Sequence, residues 1–218
     1  YSDLQGNPKN CVYSNEGEAK NAEELKAFMA FDHVFIKFKN NYRSTENFIQ
    51  ANNAVFDCDN DHTEEPSKWI SPKDILKLFP DVPCIISTSR NHMKQKGNKA
   101  PRPRFHVAFP IRPITLASEY TEFMKKAQSM FPFFDSNALD AARFFFGNAD
   151  TQVDVITGSK SFEDLIKEKE SEDDFAKLGN TIPEGNRNNA MSLYAGKILK
   201  RLGDTEEAHS RFLEKAEE

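Results

Sequence analysis

One short apolar stretch that ends in carboxylates constrains the fold of this chain more than any other feature. Residues 54–59 read Ala-Val-Phe-Asp-Cys-Asp, and a run of this kind predicts a buried strand. Because side chains alternate along a strand, Asp57 and Asp59 should share one face, about 7 Å apart, while Phe56 and Cys58 point into a core. Two carboxylates so placed can bind Mg²⁺ or Mn²⁺, although an isolated pair at a strand end is often only solvated.

The hydrophobic pattern elsewhere predicts a mixed domain of strands and helices. Apolar or alternating segments typical of strands lie at 34–39, 83–89, 104–109 and 153–157, and amphipathic or capped segments typical of helices lie at 22–31, 71–79 and 118–130. In the strand over 104–109, Arg104 and His106 share the face opposite to Phe105. If this strand forms a hairpin with 83–89, His106 can lie beside the acidic strand.

The composition changes near residue 160. Charged and helical patterns follow at 160–180, 186–201 and 204–217, with Gly203 separating the last two. The sequence therefore predicts two domains, an α/β (α+β) domain over residues 1–160 and a small all-α domain over residues 161–218.

Charge is segregated along the chain. The net charge of -5 argues against a protein coated with basic surface for nonspecific nucleic-acid binding. Between Arg90 and Arg112, however, there are seven Lys and Arg residues and no acidic residue. A local basic segment in an acidic protein indicates that a polyanion is bound at one site.

Cysteine usage and hydropathy exclude several other classes. The three cysteines are odd in number and widely spaced, so neither a disulfide framework nor a zinc site is expected. No apolar run reaches the length of a membrane span, and no membrane partner is expected. We therefore expect a cytoplasmic protein.

The candidate residues form a constellation suited to nucleotidyl transfer. Asp57 and Asp59 on one strand, His106 and Arg104 on another, and Asp135 after a third apolar run supply carboxylates for two metal ions and cations for a triphosphate. These features also have simpler interpretations. His106 can be a half-buried structural histidine, and the basic loop can be a solvated hairpin tip. Arg143 can form a structural ion pair with Asp140 or Asp135. The three phenylalanines at 144–146 can be core or a base-stacking surface.

Three of these segments, in order, resemble the motifs of the archaeo-eukaryotic primase superfamily, in its primase-polymerase branch found on plasmids, phages and other mobile elements. They are the Phe-Asp-Cys-Asp of 56–59, the Arg-Phe-His of 104–106 within 101–110, and the Phe-Asp of 134–135 with Arg143 eight residues later. The segment 182–189, followed by Ala195-Gly196 and a helical pattern, resembles the helical module that follows such primase domains.

The resemblance implies a catalytic core with an RRM-like antiparallel sheet and a role in DNA replication. The activity would be template-directed synthesis of primers or DNA from NTPs or dNTPs, with two Mg²⁺ or Mn²⁺ ions. The partners would be a single-stranded DNA template, a primer and, in some relatives, a helicase domain or protein. A zinc-binding cysteine cluster that some relatives carry is not found in this sequence.

The resemblance also assigns residues. Asp57, Asp59 and Asp135 would be the catalytic metal ligands, with Asp140 as the second choice for the third position. Nucleotide contacts would come from His106, Arg104, Arg43 and Arg143, and contacts to the template or initiating nucleotide from Asn186 and Arg187. Two other functions remain open: a replication-initiator module that binds nucleic acid without catalysis, and a metal-dependent nuclease or phosphohydrolase.

Overall fold

The acidic strand is a central strand of an antiparallel sheet. The computed structural model describes residues 1–178 and 187–217, and the chain divides into two units, Tyr1–Asp164 and Leu165–Glu218. In the described part of the first unit, five strands form one sheet in the order β1-β2-β4-β3-β5. They are β1 (Ile36–Phe38), β2 (Phe48–Cys58), β3 (Cys84–Thr88), β4 (Phe105–Ile114) and β5 (Val153–Ile156). All four pairings are antiparallel.

Helices accompany this sheet, which confirms the predicted mixed α/β class. They are α1 (Ala22–Met29), α2 (Pro72–Leu78) and α3 (Ala117–Met130). Helix α4 (Phe162–Leu178) begins in the first unit and contains the division between the two units. The start of α2 follows from its sequence. Pro72 occupies the first turn and the backbone N–H of Ser71 donates to Asp74 Oδ2 at 3.0 Å, as in a capping box.

The sheet has two different faces because side chains alternate along β2 and β4. One face carries Phe56 and Phe109, which pack against aromatic side chains from the start of α4 and from the turn that follows α3. Phe162 stacks on Phe109 with ring centroids 4.1 Å apart, and Phe134 stacks on Phe56 at 4.6 Å. This aromatic core explains why the chain needs so many phenylalanines: they fill the space between the sheet and its helices.

The opposite face of the sheet bears the polar residues of interest. A small cluster of Val55, Ala108 and Phe145 covers its middle, with Phe35 and Ile85 packed against it. At the carboxyl end of β2, Asp57 points to this same face. The segment 143–147 crosses over it and brings Phe145 onto the sheet.

Strand β2 is longer than the sequence predicted. It begins at Phe48 because residues 48–51 pair with β1. Gln50 and Asn52 interrupt the apolar pattern in this half, and their side chains bond to each other at 2.5 Å. The sequence therefore signalled only the half of the strand that is buried on both faces.

The second unit contains α5 (Arg187–Leu202) and α6 (Glu206–Glu217). They pack through Tyr194, Ile198 and Ala208, and Gly203 links them with a positive φ of 68°. Arg187 starts α5, whereas Asn186 lies outside the described residues. None of the described helices combines the length and the apolar character needed to cross a membrane.

Candidate active site

The register of the sheet sets Asp57 beside His106. The two residues are directly opposite each other in the β2–β4 ladder, and Nε2 of His106 lies 3.0 Å from Oδ1 of Asp57. This confirms the prediction that His106 lies beside the acidic strand. The pairing follows from the alternation of β4, which buries Phe105 and Val107 and turns His106 to the other face.

Arg143 completes the cluster from a distant part of the chain. Its Nη2 atom donates to Oδ2 of Asp57, across 86 residues of sequence. Phe145 fixes this segment, because its backbone pairs with His33 and its ring lies 4.7 Å from the ring of His106. Arg143 therefore pairs with Asp57, and not with Asp135 or Asp140 as a structural bridge.

Asp57 is a buried carboxylate between the imidazole of His106 and the guanidinium of Arg143. Burial is the largest influence and by itself would raise the pKa of Asp57, but His106 and Arg143 together outweigh it and lower the pKa from 3.8 to about 2. The group is therefore ionised at neutral pH with only 8% of its side chain exposed. Such a carboxylate can act as a ligand or an anchor, and it is a poor proton donor.

Asp57 lies at the edge of an open pocket of about 200 Å³. The charged residues that line it are Asp57, Asp59, Arg90, Lys96, His106 and Arg143, and the others are Ser89, Asn91, Phe144, Phe145 and Phe146. Lys96 comes from the basic segment and its Nζ lies 2.6 Å from Oδ2 of Asp59. The pocket thus combines two carboxylates with four basic side chains, which is the composition expected for a metal–phosphate site.

The donor set fits a divalent cation that completes its coordination with substrate oxygens. Oδ1 of Asp57 is buried and accepts no hydrogen bond of normal geometry from any residue the structure describes, despite the nearby His106. Within 1–178 and 187–217, no group of three or more His, Cys, Asp or Glu side chains is placed to hold a metal ion by itself. Mg²⁺ sites that serve phosphate substrates use one or two carboxylates together with the phosphates, and Asp57 and Asp59 are the two carboxylates that line this pocket.

Two predicted nucleotide contacts lie away from the pocket. Arg104 is completely buried, and its Nη1 donates to the carbonyls of Asn91 and Lys94 at 3.2 and 2.9 Å. It supports the basic segment from beneath, because that segment folds back over it. Arg43 donates to the carbonyls of Ala142 and Asn10 and so ties the amino-terminal arm to the crossing segment.

The two candidates for a third carboxylate are placed differently. The backbone N–H of Asp135 donates to the carbonyl of Asp57 at 2.8 Å, but its side chain accepts from Asn137 and does not line the pocket. Asp140 is exposed and caps the N–H of Ala142 at 2.9 Å. Of the two, only Asp135 is joined to the cluster, through the hydrogen bond from its backbone N–H to the carbonyl of Asp57.

Asp32 is an important residue that sequence reasoning missed. Its buried carboxylate accepts three backbone hydrogen bonds, from Gly6 at 2.8 Å, Asn7 at 2.8 Å and Gly147 at 2.7 Å. Gly147 is required there because a Cβ would collide with the backbone of Phe31. Asp32 therefore fixes the path of the segment that delivers Arg143 and Phe145. The one sequence signal was a single acid between an apolar helix and a strand.

His33 makes the stability of this region sensitive to pH. Burial, the largest cause, lowers the pKa of His33 from 6.5 to about 4 despite its hydrogen bond to the Phe31 carbonyl. The unfolded chain takes up this proton near pH 6.5 and the folded chain only near pH 4, so the free energy of unfolding should fall as the pH decreases. We expect a loss of about 2 kcal/mol between pH 7 and pH 4.5 from this group.

Urea denaturation of the wild type, His33→Gln and His62→Gln at the two pH values checks this expectation. His33→Gln should lose less stability than the wild type on acidification, whereas His62→Gln, which removes an exposed histidine, should behave as the wild type does. Equal pH dependence in all three proteins would show that His33 is not the responsible group.

Comparison with known proteins assigns neither a family nor a function to this chain. No protein-family model matches the sequence, and searches of curated proteins and of solved structures found no match.

Proposed function

We propose that the protein is a metal-dependent nucleotidyltransferase of the primase-polymerase type, which extends a nucleic-acid strand on a single-stranded DNA template. The observation that carries this proposal is the convergence of Asp57, Asp59, His106 and Arg143 on one pocket, together with Lys96 of the basic segment. Carboxylates and phosphate-binding cations in one open pocket suit the transfer of a nucleotidyl group from an NTP or dNTP.

In this proposal the carboxylates and the cations have separate tasks. Asp57 and Asp59 hold Mg²⁺ or Mn²⁺, which would activate the attacking 3′-hydroxyl and neutralise the leaving pyrophosphate. His106, Arg143 and Lys96 bind the triphosphate by charge-assisted hydrogen bonds. His106, Arg143 and Lys96 each contact one of these carboxylates in the structure, so a metal ion held by Asp57 and Asp59 would leave the three side chains for the phosphates.

Other residues have supporting roles in the proposal. We propose no metal contact for Asp135, because its carboxylate accepts from Asn137 and does not line the pocket, although its backbone is bonded to that of Asp57. Arg104 and Arg43 shape the loop and the crossing segment, so we propose no direct nucleotide contact for them. The helical second unit, with Arg187 at the start of α5, is proposed to contact the template or the initiating nucleotide.

Product analysis tests the proposal directly. The protein is incubated with a single-stranded DNA template, mixed NTPs and dNTPs and Mn²⁺, with and without a primer. We expect extended products and release of pyrophosphate, because the in-line displacement at the α-phosphate produces both. Shortened DNA would instead identify a nuclease, and the absence of any product from folded protein with bound DNA would identify a nucleic-acid-binding module.

A further inference from the structure

An arginine–phenylalanine pair forms part of the pocket wall beside the Asp57 cluster. Arg90 follows β3 by two residues and is exposed, and its Cζ atom lies 3.7 Å from the centroid of the Phe146 ring. Both residues line the same pocket as Asp57 and His106. We infer that this pair, called the Arg90–Phe146 shelf, is the surface on which the base of the bound nucleotide stacks. The inference rests on the proposed function.

The shelf is held in place by a row of contacting aromatic rings and guanidinium groups. Phe146 meets Phe144 edge-on, with centroids 4.9 Å apart and an interplanar angle of 74°. The guanidinium of Arg43 covers Phe144 at 4.6 Å and is itself bonded to backbone carbonyls. Phe146 is therefore held by its neighbours, and the guanidinium carbon of Arg90 lies over a ring that is already positioned. A stacking surface that is fixed before binding loses little entropy when a ligand arrives.

The surroundings of Arg90 differ from those of the other cations in the pocket. His106 and Arg143 contact Asp57, and Lys96 contacts Asp59, so these three lie where metal and phosphates would bind. Arg90 forms no ion pair with any carboxylate in the described part of the chain. Its guanidinium lies over Phe146 and the side chain is exposed. An exposed guanidinium plane is a typical stacking partner for a nucleobase.

The pocket is therefore divided into a charged part and a planar part. A nucleoside triphosphate has the same division, with its phosphates at one end and its base at the other. Asn91 lines the pocket next to the shelf and supplies an amide that can both donate and accept hydrogen bonds at a base edge. Stacking tolerates any base, so the shelf should accept all four nucleotides, with purines bound somewhat more tightly than pyrimidines because they offer more area.

Comparison of a nucleotide with a ligand that lacks a base separates this role from phosphate binding. Titration calorimetry with Mn²⁺ present measures the affinity for ATP and for inorganic tripolyphosphate. Arg90→Lys keeps the positive charge and removes the planar group, so we expect ATP to bind roughly 10-fold more weakly and tripolyphosphate to bind unchanged. Phe146→Leu should have the same effect. Lys94→Ala, which removes an exposed cation of the same basic segment outside the pocket, should change neither affinity.

Other results have distinct meanings. If Arg90→Lys weakens ATP and tripolyphosphate equally, Arg90 is a phosphate contact and the inference is wrong. If it weakens neither while the wild type binds ATP, the pair only stabilises the loop and the inference is again wrong. If the wild type binds neither ligand, the proposed function itself fails and the shelf has no ligand. Because Arg90 is exposed, Arg90→Lys should fold normally and decides the matter even if Phe146→Leu does not fold.

Discussion

Replacement of Asp57 by asparagine should reduce nucleotide incorporation by roughly 1,000-fold, which is the order expected for loss of a preorganised electrostatic contact in phosphoryl-type transfer. The buried carboxylate carries a full negative charge at neutral pH because its pKa is about 2. An amide of the same shape cannot neutralise a divalent ion or hold His106 and Arg143 by charge. The rate of primer extension with Mn²⁺, measured at equal concentrations of folded protein, checks the prediction.

A matched variant separates the pocket from a general effect of lost charge. Asp154→Asn removes an exposed carboxylate from β5, outside the pocket, and should retain full activity. Mn²⁺ binding followed by electron paramagnetic resonance should weaken in Asp57→Asn and stay unchanged in Asp154→Asn. If Asp57→Asn is unfolded, Asp59→Asn takes its place, since it leaves the ion pairs of Asp57 intact. Wild-type activity in a folded Asp57→Asn or Asp59→Asn protein would refute the metal assignment.

Replacement of Asp32 by alanine should lower the free energy of unfolding by about 4 kcal/mol, because three backbone N–H groups lose their acceptor and each orphaned donor costs about 1–3 kcal/mol. The donors belong to Gly6, Asn7 and Gly147, so both the amino-terminal arm and the crossing segment lose their attachment. Urea denaturation measures the change. We also expect the remaining folded protein to lose activity, because Arg143 is no longer held over Asp57.

The comparison for this variant is Asp3→Ala. Asp3 is exposed and accepts one hydrogen bond from Asn15, so its removal should cost less than about 0.5 kcal/mol. Asp32→Asn should fall between the two, because the amide keeps one acceptor oxygen and turns a donor toward other donors. If Asp32→Ala is as stable as Asp3→Ala, the three hydrogen bonds do not anchor the segment in solution.

The sequence predicted most strands of the sheet, but it predicted only some of the contacts that form the pocket. Alternation along 104–109 placed His106 on the face opposite to Phe105, and the β2–β4 register then sets it beside Asp57. The alternation of apolar and polar residues along a strand is a local pattern, so it can be detected in a single sequence. The same logic put Arg104 on the face of His106 but could not show that the basic segment folds back and buries it.

The contribution of Arg143 illustrates what a single sequence does not reveal. The segment 135–147 has no helical or strand periodicity, and its course is set by tertiary contacts of Asp32, His33 and Phe145. The pairing of Arg143 with Asp57 therefore depends on hydrogen bonds such as that from the Gly147 N–H to the Asp32 carboxylate, whose partners are more than 100 residues apart in sequence. No propensity or spacing rule reports such contacts. In the same way, the stacking of Arg90 on Phe146 joins two loops that carry no shared pattern.

The long sequence separation within the Asp57 cluster has a consequence for folding. Its members come from β2, from β4 and from a segment 86 residues after Asp57, so the cluster forms only when contacts across that separation have formed. Contacts of such separation close late, after local helices and hairpins. A partly folded chain would thus present separate charges with no pocket between them. Any activity of this pocket therefore reports on complete folding of the first unit, and a misfolded fraction would be inactive instead of catalysing with lower accuracy.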